Sequence, residues 1–228
     1  MDERNAVYST DHVRGALATM LEALVDHANK LNRLDAAIGD GDMGVTVRIG
    51  AQAVLETLGN PSDADLATLL SRAGMAFNRA AASTTGALLA TAGMRAGKVA
   101  KDENAVTMDL PLLARMVAAA ETGIRERGKA QRGDKTLLDA LIPASEALTQ
   151  AANEGVGLRE AGRRALIAAQ CGCEETVAMR SRIGRAGWIG ERTIGQPDPG
   201  ATAVVIALQS LVGQSSRLEG QGGGDAEG

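Results

Sequence analysis

The chain is poor in aromatic residues. Only Tyr8, Phe77 and Trp188 occur among 228 residues. Sheet proteins draw on aromatic and β-branched side chains, so this scarcity weighs against a sheet-dominated core. Cysteine is scarce as well: Cys171 and Cys173 are the only two. They lie too close together for an ordinary disulfide, and no second pair or nearby histidine completes a zinc site. Their reading is as small residues packed in a helix. No apolar run approaches the roughly 18 residues of a membrane-spanning helix. The opening Met-Asp-Glu-Arg lacks the basic and apolar parts of a signal peptide, so a cytoplasmic protein without a membrane is expected. Positive charge is not in excess either. With 24 Lys and Arg against 28 Asp and Glu the net charge is −4, which excludes a general nucleic-acid binder, since that function needs a basic face.

What is present is helix-forming. Hydrophobic residues make up 45% of the chain, chiefly Ala, Leu, Val, Ile and Met, and Ala and Leu are strong helix formers. Behind Thr10-Asp11, the residues Val13, Ala16, Leu17, Met20, Leu21, Leu24, Ala28 and Leu31 recur at steps of three and four, predicting one helix of about 20 residues. Further helices are expected from Gly44 to Leu58, from near Asp63, from Leu88 to Val99, and from Asp109 to Arg127. Another follows Gly133-Asp134, with Asp134 as N-cap and Pro143 kinking its interior. The last two run from Leu158 to about Met179 and onward from Asp198-Pro199, where Asp caps and Pro opens the helix. Eight helices with mostly short connections predict an all-α, up-and-down antiparallel bundle or barrel. Residues 1–212 form one domain in this reading. The tail from 213 to 228 holds little to bury and is expected to be disordered.

Two connections stand out. Residues 35–44 read Asp35-Ala-Ala-Ile-Gly-Asp40-Gly-Asp42-Met-Gly44. Asp and Gly together serve ordinary turns, but three carboxylates this close repel one another, and a divalent ion removes that cost. Mg²⁺ suits such a site, because it takes oxygen ligands and completes its shell with substrate phosphates. An EF-hand is not indicated, because Thr46 occupies the twelfth position from Asp35 where a Glu would be needed. The turn and the metal remain alternatives at this point. The second connection, Arg180 to Pro197, carries Arg180, Arg182, Arg185 and Arg192 among glycines. Those arginines are either a solvated surface or donors to phosphate oxygens. Three expected helix starts combine glycine with hydroxyls: Gly44-Val45-Thr46, Ser83-Thr84-Thr85-Gly86, and Asp198-Pro199-Gly200-Ala201-Thr202. Such starts offer N–H groups to an anion, although hydroxyls before a helix are first of all caps. Trp188 is read as a packing residue rather than a stacking platform. His12 and His27 fall on the first helix, away from the acidic loop, and carry no role.

In combination these segments are more specific. Leu34 to Gly44 resembles the metal loop of the nucleotide-binding (L) subunit of dihydroxyacetone kinases. Arg127-Gly-Lys-Ala with Gly133-Asp-Lys-Thr-Leu137 resembles a second motif of that family. Gly184-Arg-Ala, Gly190-Glu-Arg-Thr-Ile-Gly195 and Asp198-Pro-Gly-Ala-Thr202 resemble a third. The matches run from residue 10 to about 212. The resemblance implies an eight-helix antiparallel barrel that holds ADP or ATP at one end with a pair of Mg²⁺ ions. By position, Asp35, Asp40 and Asp42 would be the metal ligands. Met43, Gly44, Val45, Thr46, Thr84, Thr85, Gly128, Leu137, Arg185, Asp198, Pro199 and Gly200 would contact the nucleotide, with Arg185 also stabilising charge during transfer. Two departures are visible. Met43 stands where His or Cys is frequent, and Thr84-Thr85-Gly86-Ala87 stands for Ala-Ser-Gly-Pro. Neither removes a carboxylate.

The same resemblance implies a kinase divided between chains. A partner subunit binds the short ketose, and this chain positions the phosphoryl group. The donor is either exchanged ATP or a phosphoenolpyruvate-linked phosphocarrier protein that recharges bound ADP. A homodimer is a further assembly expectation. The alternative function is a non-catalytic, nucleotide-dependent regulatory subunit.

Overall fold

The structure is a computed structural model that describes residues 6–59 and 65–220, apart from the side chains of 185, 189 and 214–220. Ten α-helices lie among the described residues: α1 Thr10–Asp26, α2 Ala28–Ile38, α3 Met43–Leu58, α4 Leu66–Ala80, α5 Thr84–Asp102, α6 Leu110–Gly128, α7 Leu138–Asn153, α8 Leu158–Glu175, α9 Gly184–Ile189 and α10 Pro199–Gly220. Two short strands, β1 Tyr8–Ser9 and β2 Thr107–Met108, pair antiparallel. The all-α expectation holds.

The two helices beyond the expected eight have separate origins. The first expected helix divides at His27, whose backbone (φ −95°, ψ 6°) leaves the helical region. The amides of Lys30 and Leu31 donate to the carbonyl of His27, which restarts the chain as α2. The Arg/Gly connection, expected as a loop, contains the short α9 and a 3-10 turn at Gly190–Thr193.

Helix starts follow the side chains that cap them. Asp65, Ser83, Asp109 and Asp198 each accept the amide three residues onward, at 2.8, 3.1, 2.8 and 2.7 Å. Asp134 does not act this way. Helix α7 begins four residues later, behind Leu137, and Asp134 accepts the Gln131 amide at 2.8 Å. Pro143 lies inside α7 as read. Proline has no N–H for the carbonyl four residues back, and that carbonyl, of Asp139, faces Gly172 of α8. A Cβ on Gly172 would come within 2.0 Å of it. Helix α10 continues to Gly220, past the expected boundary at 212. The remainder of the expected disordered tail lies outside the described residues.

Each long helix packs on its chain neighbour, and α1 packs on both α3 and α10, which closes the ring. One core sector unites Val13, Val54, Leu66, Leu69, Phe77, Leu112 and Met116. The sector between α7, α8 and α10 is built on alanine. Ala161, Ala165 and Ala169 of α8 recur every four residues and are fully buried with Ala140, Ala151 and Ala201. Small side chains on one stripe let the helix axes approach closely. Cys173 belongs to that sector, with Sγ 3.6 Å from Thr202 Oγ1, whereas Cys171 is exposed rather than packed. Trp188 also departs from expectation, being 90% exposed.

Up-and-down topology sorts the connections between two ends. The β1–β2 pair and the 103–109 and 154–157 turns lie at one end. The α2–α3, α4–α5, α6–α7 and α8–α10 connections lie at the other, and they carry every sequence-predicted site residue. No helix among the described residues is long and apolar enough to cross a membrane.

Candidate functional site

The acidic segment is not a single loop. Asp35 is on the last turn of α2, Asp40 is in the α2–α3 turn, and Asp42 is the residue before α3. Gly41 takes φ +77°, a left-handed conformation that bends the chain back and that side-chain-bearing residues rarely adopt. The turn brings one oxygen from each of the three carboxylates within 4.8 Å of the others. Asp35 is half-buried, while Asp40 and Asp42 are exposed. Three converging carboxylate oxygens, open to solvent on one side, could hold a hard divalent cation and would leave it positions for phosphate or water.

Helix α3 begins against this cluster. Gly44 is buried so closely on α2 that a Cβ would lie 1.9 Å from the Ala28 carbonyl oxygen. The expected free amides at this helix start are occupied. Asn32 Oδ1 accepts from Gly44 and Val45 at 2.6 and 3.1 Å, and Asp35 Oδ2 accepts from Met43 at 3.1 Å. The Thr46 amide closes onto the Asp42 carbonyl. An anion recruited here must displace Asn32. That residue was not singled out in the sequence, because an asparagine inside an amphipathic helix gives no sign of which neighbouring helix it caps.

The other predicted residues gather around the same end. Thr84 is exposed and Thr85 half-buried at the start of α5, behind the Ser83 cap. Gly128 closes α6, where a Cβ would meet Leu88 at 3.4 Å. Leu137 and Gly200 adjoin directly, since a Cβ on Gly200 would lie 3.0 Å from Leu137 Cβ. The turn Asp198-Pro199-Gly200 is thereby set against the α7 start. The Arg185 side chain lies outside the described ones.

Besides Asp134, two further buried acids, Asp139 and Asp198, organise the turns. Asp139, 1% exposed, folds back from the first turn of α7 and accepts the amides of Gly133 at 2.5 Å and Thr136 at 2.7 Å. It does not cap α7, which has no side-chain cap, but holds the preceding turn from inside the helix. Asp134 and Asp139 are both buried acidic residues near the helix start, and the sequence does not say which backbone amides each accepts. Asp198 is also buried. Its amide donates to the Thr176 hydroxyl at 2.9 Å. Burial pushes its carboxyl up to about 7, with the charge of Asp139 acting the same way and the Ala201 amide and Lys135 opposing.

The sign of the Asp198 effect on stability follows directly. A folded value above the ordinary 3.8 means that the folded chain holds more protons between these limits. The associated stability is complete below about pH 4 and is lost as pH rises through about 7. Asp198→Asn keeps an oxygen for the Ala201 amide without the charge. In the nucleotide-free protein it is expected to flatten this decline, gaining on the parent by on the order of 4 kcal/mol by pH 8. Urea midpoints from pH 4 to 8 measure it, and parallel curves for the two proteins would count against the assignment.

Comparison with known proteins places the chain in a family. The family model described as the DAK2 domain matches residues 37–213. The chain is 34% identical over 181 residues to the ADP-binding subunit DhaL of the PEP-dependent dihydroxyacetone kinase of Escherichia coli K12, covering 79% of this chain and 85% of that one. It is 35% identical over 201 residues to an L-erythrulose kinase of Pectobacterium atrosepticum, covering 87% of this chain and 34% of the relative. Among solved structures, the C. freundii dihydroxyacetone kinase in complex with AMP-PNP and Mg²⁺ superposes with a TM-score of 0.69 at 28% identity, covering 92% of this chain and 35% of that one. The chain thus spans about a third of the length of the latter two proteins.

Proposed function

We propose a function from one established fact: the chain belongs to the DAK2-domain family, as a nucleotide-binding subunit of the dihydroxyacetone kinase type. In this reading it binds ADP or ATP with Mg²⁺ and transfers a phosphoryl group to a short ketose held by a separate partner subunit. The observation that carries the reading is the convergence of Asp35, Asp40 and Asp42 within 4.8 Å at the end of the barrel. The relatives are named as kinases of dihydroxyacetone and erythrulose, which supports a small ketose as acceptor.

The division of labour follows from the residues. Asp35, Asp40 and Asp42 hold the metal, which when bound neutralises phosphate oxygens. Thr46, Thr84 and Thr85 lie at two helix starts of the same end and orient the phosphates. Gly128 and Leu137 line the nucleotide, and the Asp198-Pro199-Gly200 turn closes against Leu137. Arg185 supplies positive charge toward the transferring group. Phosphoryl transfer depends on positioning and charge stabilisation more than on covalent protein chemistry, which suits a site without a nucleophile. The base that accepts the ketose proton belongs to the partner.

Calorimetric titration of ADP with and without Mg²⁺ tests the binding step, and magnesium-independent or absent binding would refute it. The donor is decided by assaying the chain with its ketose-binding partner and ATP alone. The name of the E. coli relative as PEP-dependent favours recharging of bound ADP by a phosphocarrier, so the expected result is little sustained turnover on ATP. Sustained turnover identifies an ATP-exchanging enzyme. Retention of all three carboxylates favours this catalytic reading over a regulatory subunit.

A further inference from the structure

Lys135 is one of the most deeply buried charges in the described chain, at 3% exposure. It sits between α6 and α7 with a left-handed backbone (φ +59°), a conformation that a side-chain-bearing residue keeps only when its surroundings hold it. Its ammonium has three donors. Nζ donates to the carbonyls of Met179 at 3.2 Å, Thr193 at 2.5 Å and Gln196 at 2.7 Å. All three donors are directed at the backbone of one segment. Burial lowers the lysine pKa, and the charge of Asp198 acts against that shift.

The three acceptors define what is being held. Met179 precedes Arg180, where the arginine-bearing segment begins. Thr193 and Gln196 lie where it returns to the Asp198 turn. One ammonium therefore ties both feet of the segment together and leaves α9 and Trp188 outside the tie. Neighbouring bonds complete the base. The Ser181 amide donates to Thr193 Oγ1 at 3.0 Å, the Gly195 amide donates to the Val177 carbonyl at 2.8 Å, and Thr193 Oγ1 donates to the Gly190 carbonyl at 2.7 Å. The 3-10 turn Gly190–Thr193 packs against α2, the helix that carries Asp35. Beside the tie lies a cavity of about 570 Å³ lined by Gly133, Met179, Arg180, Ser181, Arg182 and Gly187. The placement of the arginine segment beside α2 thus rests on a base that Lys135 closes.

We infer that Lys135 is a positioning residue: through its three backbone carbonyls it fixes the arginine-bearing segment 180–195 over the nucleotide end of the barrel, in register for phosphoryl transfer. The reaction role rests on the function proposed above, whereas the mechanical role stands without it. A neutral side chain of similar length removes the three bonds and leaves the helices in place. Arginine is not a substitute, because its planar fork cannot direct three donors onto converging carbonyls.

Hydrogen–deuterium exchange on the full chain tests the mechanical role. Lys135→Met is expected to speed exchange about tenfold or more in peptides covering 179–197, with the α1–α6 peptides unchanged. Unchanged exchange in 179–197, or acceleration spread evenly over all helices, overturns the inference. If Lys135→Met does not fold, Lys135→Gln, which retains two donors, is expected to show the same localised acceleration to a smaller extent, with the same overturning results. The reaction role is read with the partner subunit. Lys135→Met should lower kcat about 100-fold, the order lost when a reacting group is misplaced by about 1 Å, while the Mg²⁺-ADP Kd stays within about threefold. An unchanged kcat beside accelerated exchange overturns the positioning role. A parent protein that binds no Mg²⁺-ADP sinks the kinase reading, and the exchange result then decides the tie by itself.

Discussion

Asp40→Asn is expected largely to abolish magnesium-dependent nucleotide binding while leaving the helical circular dichroism unchanged. Asn retains a neutral oxygen at nearly the same place, so the substitution removes charge with little change in shape. Asp40 is exposed in the α2–α3 turn, away from the buried sectors that hold the barrel together. Stability should therefore change little, and losing one of three adjacent negative charges relieves repulsion. Binding should change greatly. Partners one step removed from a metal are already worth about 10–100-fold in affinity, so removing a charged ligand from a site with only three is expected to cost at least about 100-fold. Titration of ADP in Mg²⁺ measures it. Parental affinity in the variant would falsify the ligand assignment while leaving the fold untouched.

Asp139→Ala is expected to be among the most destabilising single changes in the α6–α7 connection. The carboxylate is buried, and each of its oxygens accepts a backbone amide. Alanine leaves the N–H groups of Gly133 and Thr136 without these acceptors in a partly buried turn, at roughly 1–3 kcal/mol each. A total of about 2–4 kcal/mol, the lower part of that range because the turn is partly open to water, is a large share of the stability of a domain this size. Part is recovered, because removing the Asp139 charge relieves Asp198. Asp139→Asn, which retains one acceptor oxygen, should lie between Ala and the parent. Urea denaturation at pH 7 checks both, and a loss below about 1 kcal/mol for Ala would mean that the turn finds other partners. Nucleotide affinity should fall with stability, because the same turn sets Leu137 against Gly200.

The two residues mark the limits of what the chain discloses before it folds. Asp40 is legible because its signal is local: carboxylates spaced along a glycine-punctuated segment express their chemistry within eight residues. Asp139 is not legible in this way. It lies on a helix that the periodicity places well, but its acceptors point back at a turn whose course depends on α8 and α10. Asp134, by contrast, reads as an N-cap from its position, although α7 has no side-chain cap. Asn32 and Lys135 are further cases. Each is an ordinary helix or loop residue by composition. Each takes its role from a segment elsewhere: Asn32 caps a helix that begins 11 positions later, and Lys135 holds carbonyls more than 40 positions away. Trp188 erred in the other direction. A lone tryptophan suggests packing, yet α9 carries it on a segment tied only at its feet, and it stands in solvent.

The sequence by itself determined the helical class, the approximate course of the long helices, and the acidic segment as the candidate cation site. These follow from side-chain periodicity, propensity and local charge, none of which needs a distant contact. Only the tertiary structure decided that Asp35 belongs to a helix while its two companions belong to a turn. It alone showed that the α3 amides are already engaged by Asn32, and that the arginine segment is held from beneath by Lys135. These depend on which helix ends meet when the ring closes. Burial then sets the outcome, because a polar group removed from water must be satisfied by whatever donor or acceptor the fold brings to it.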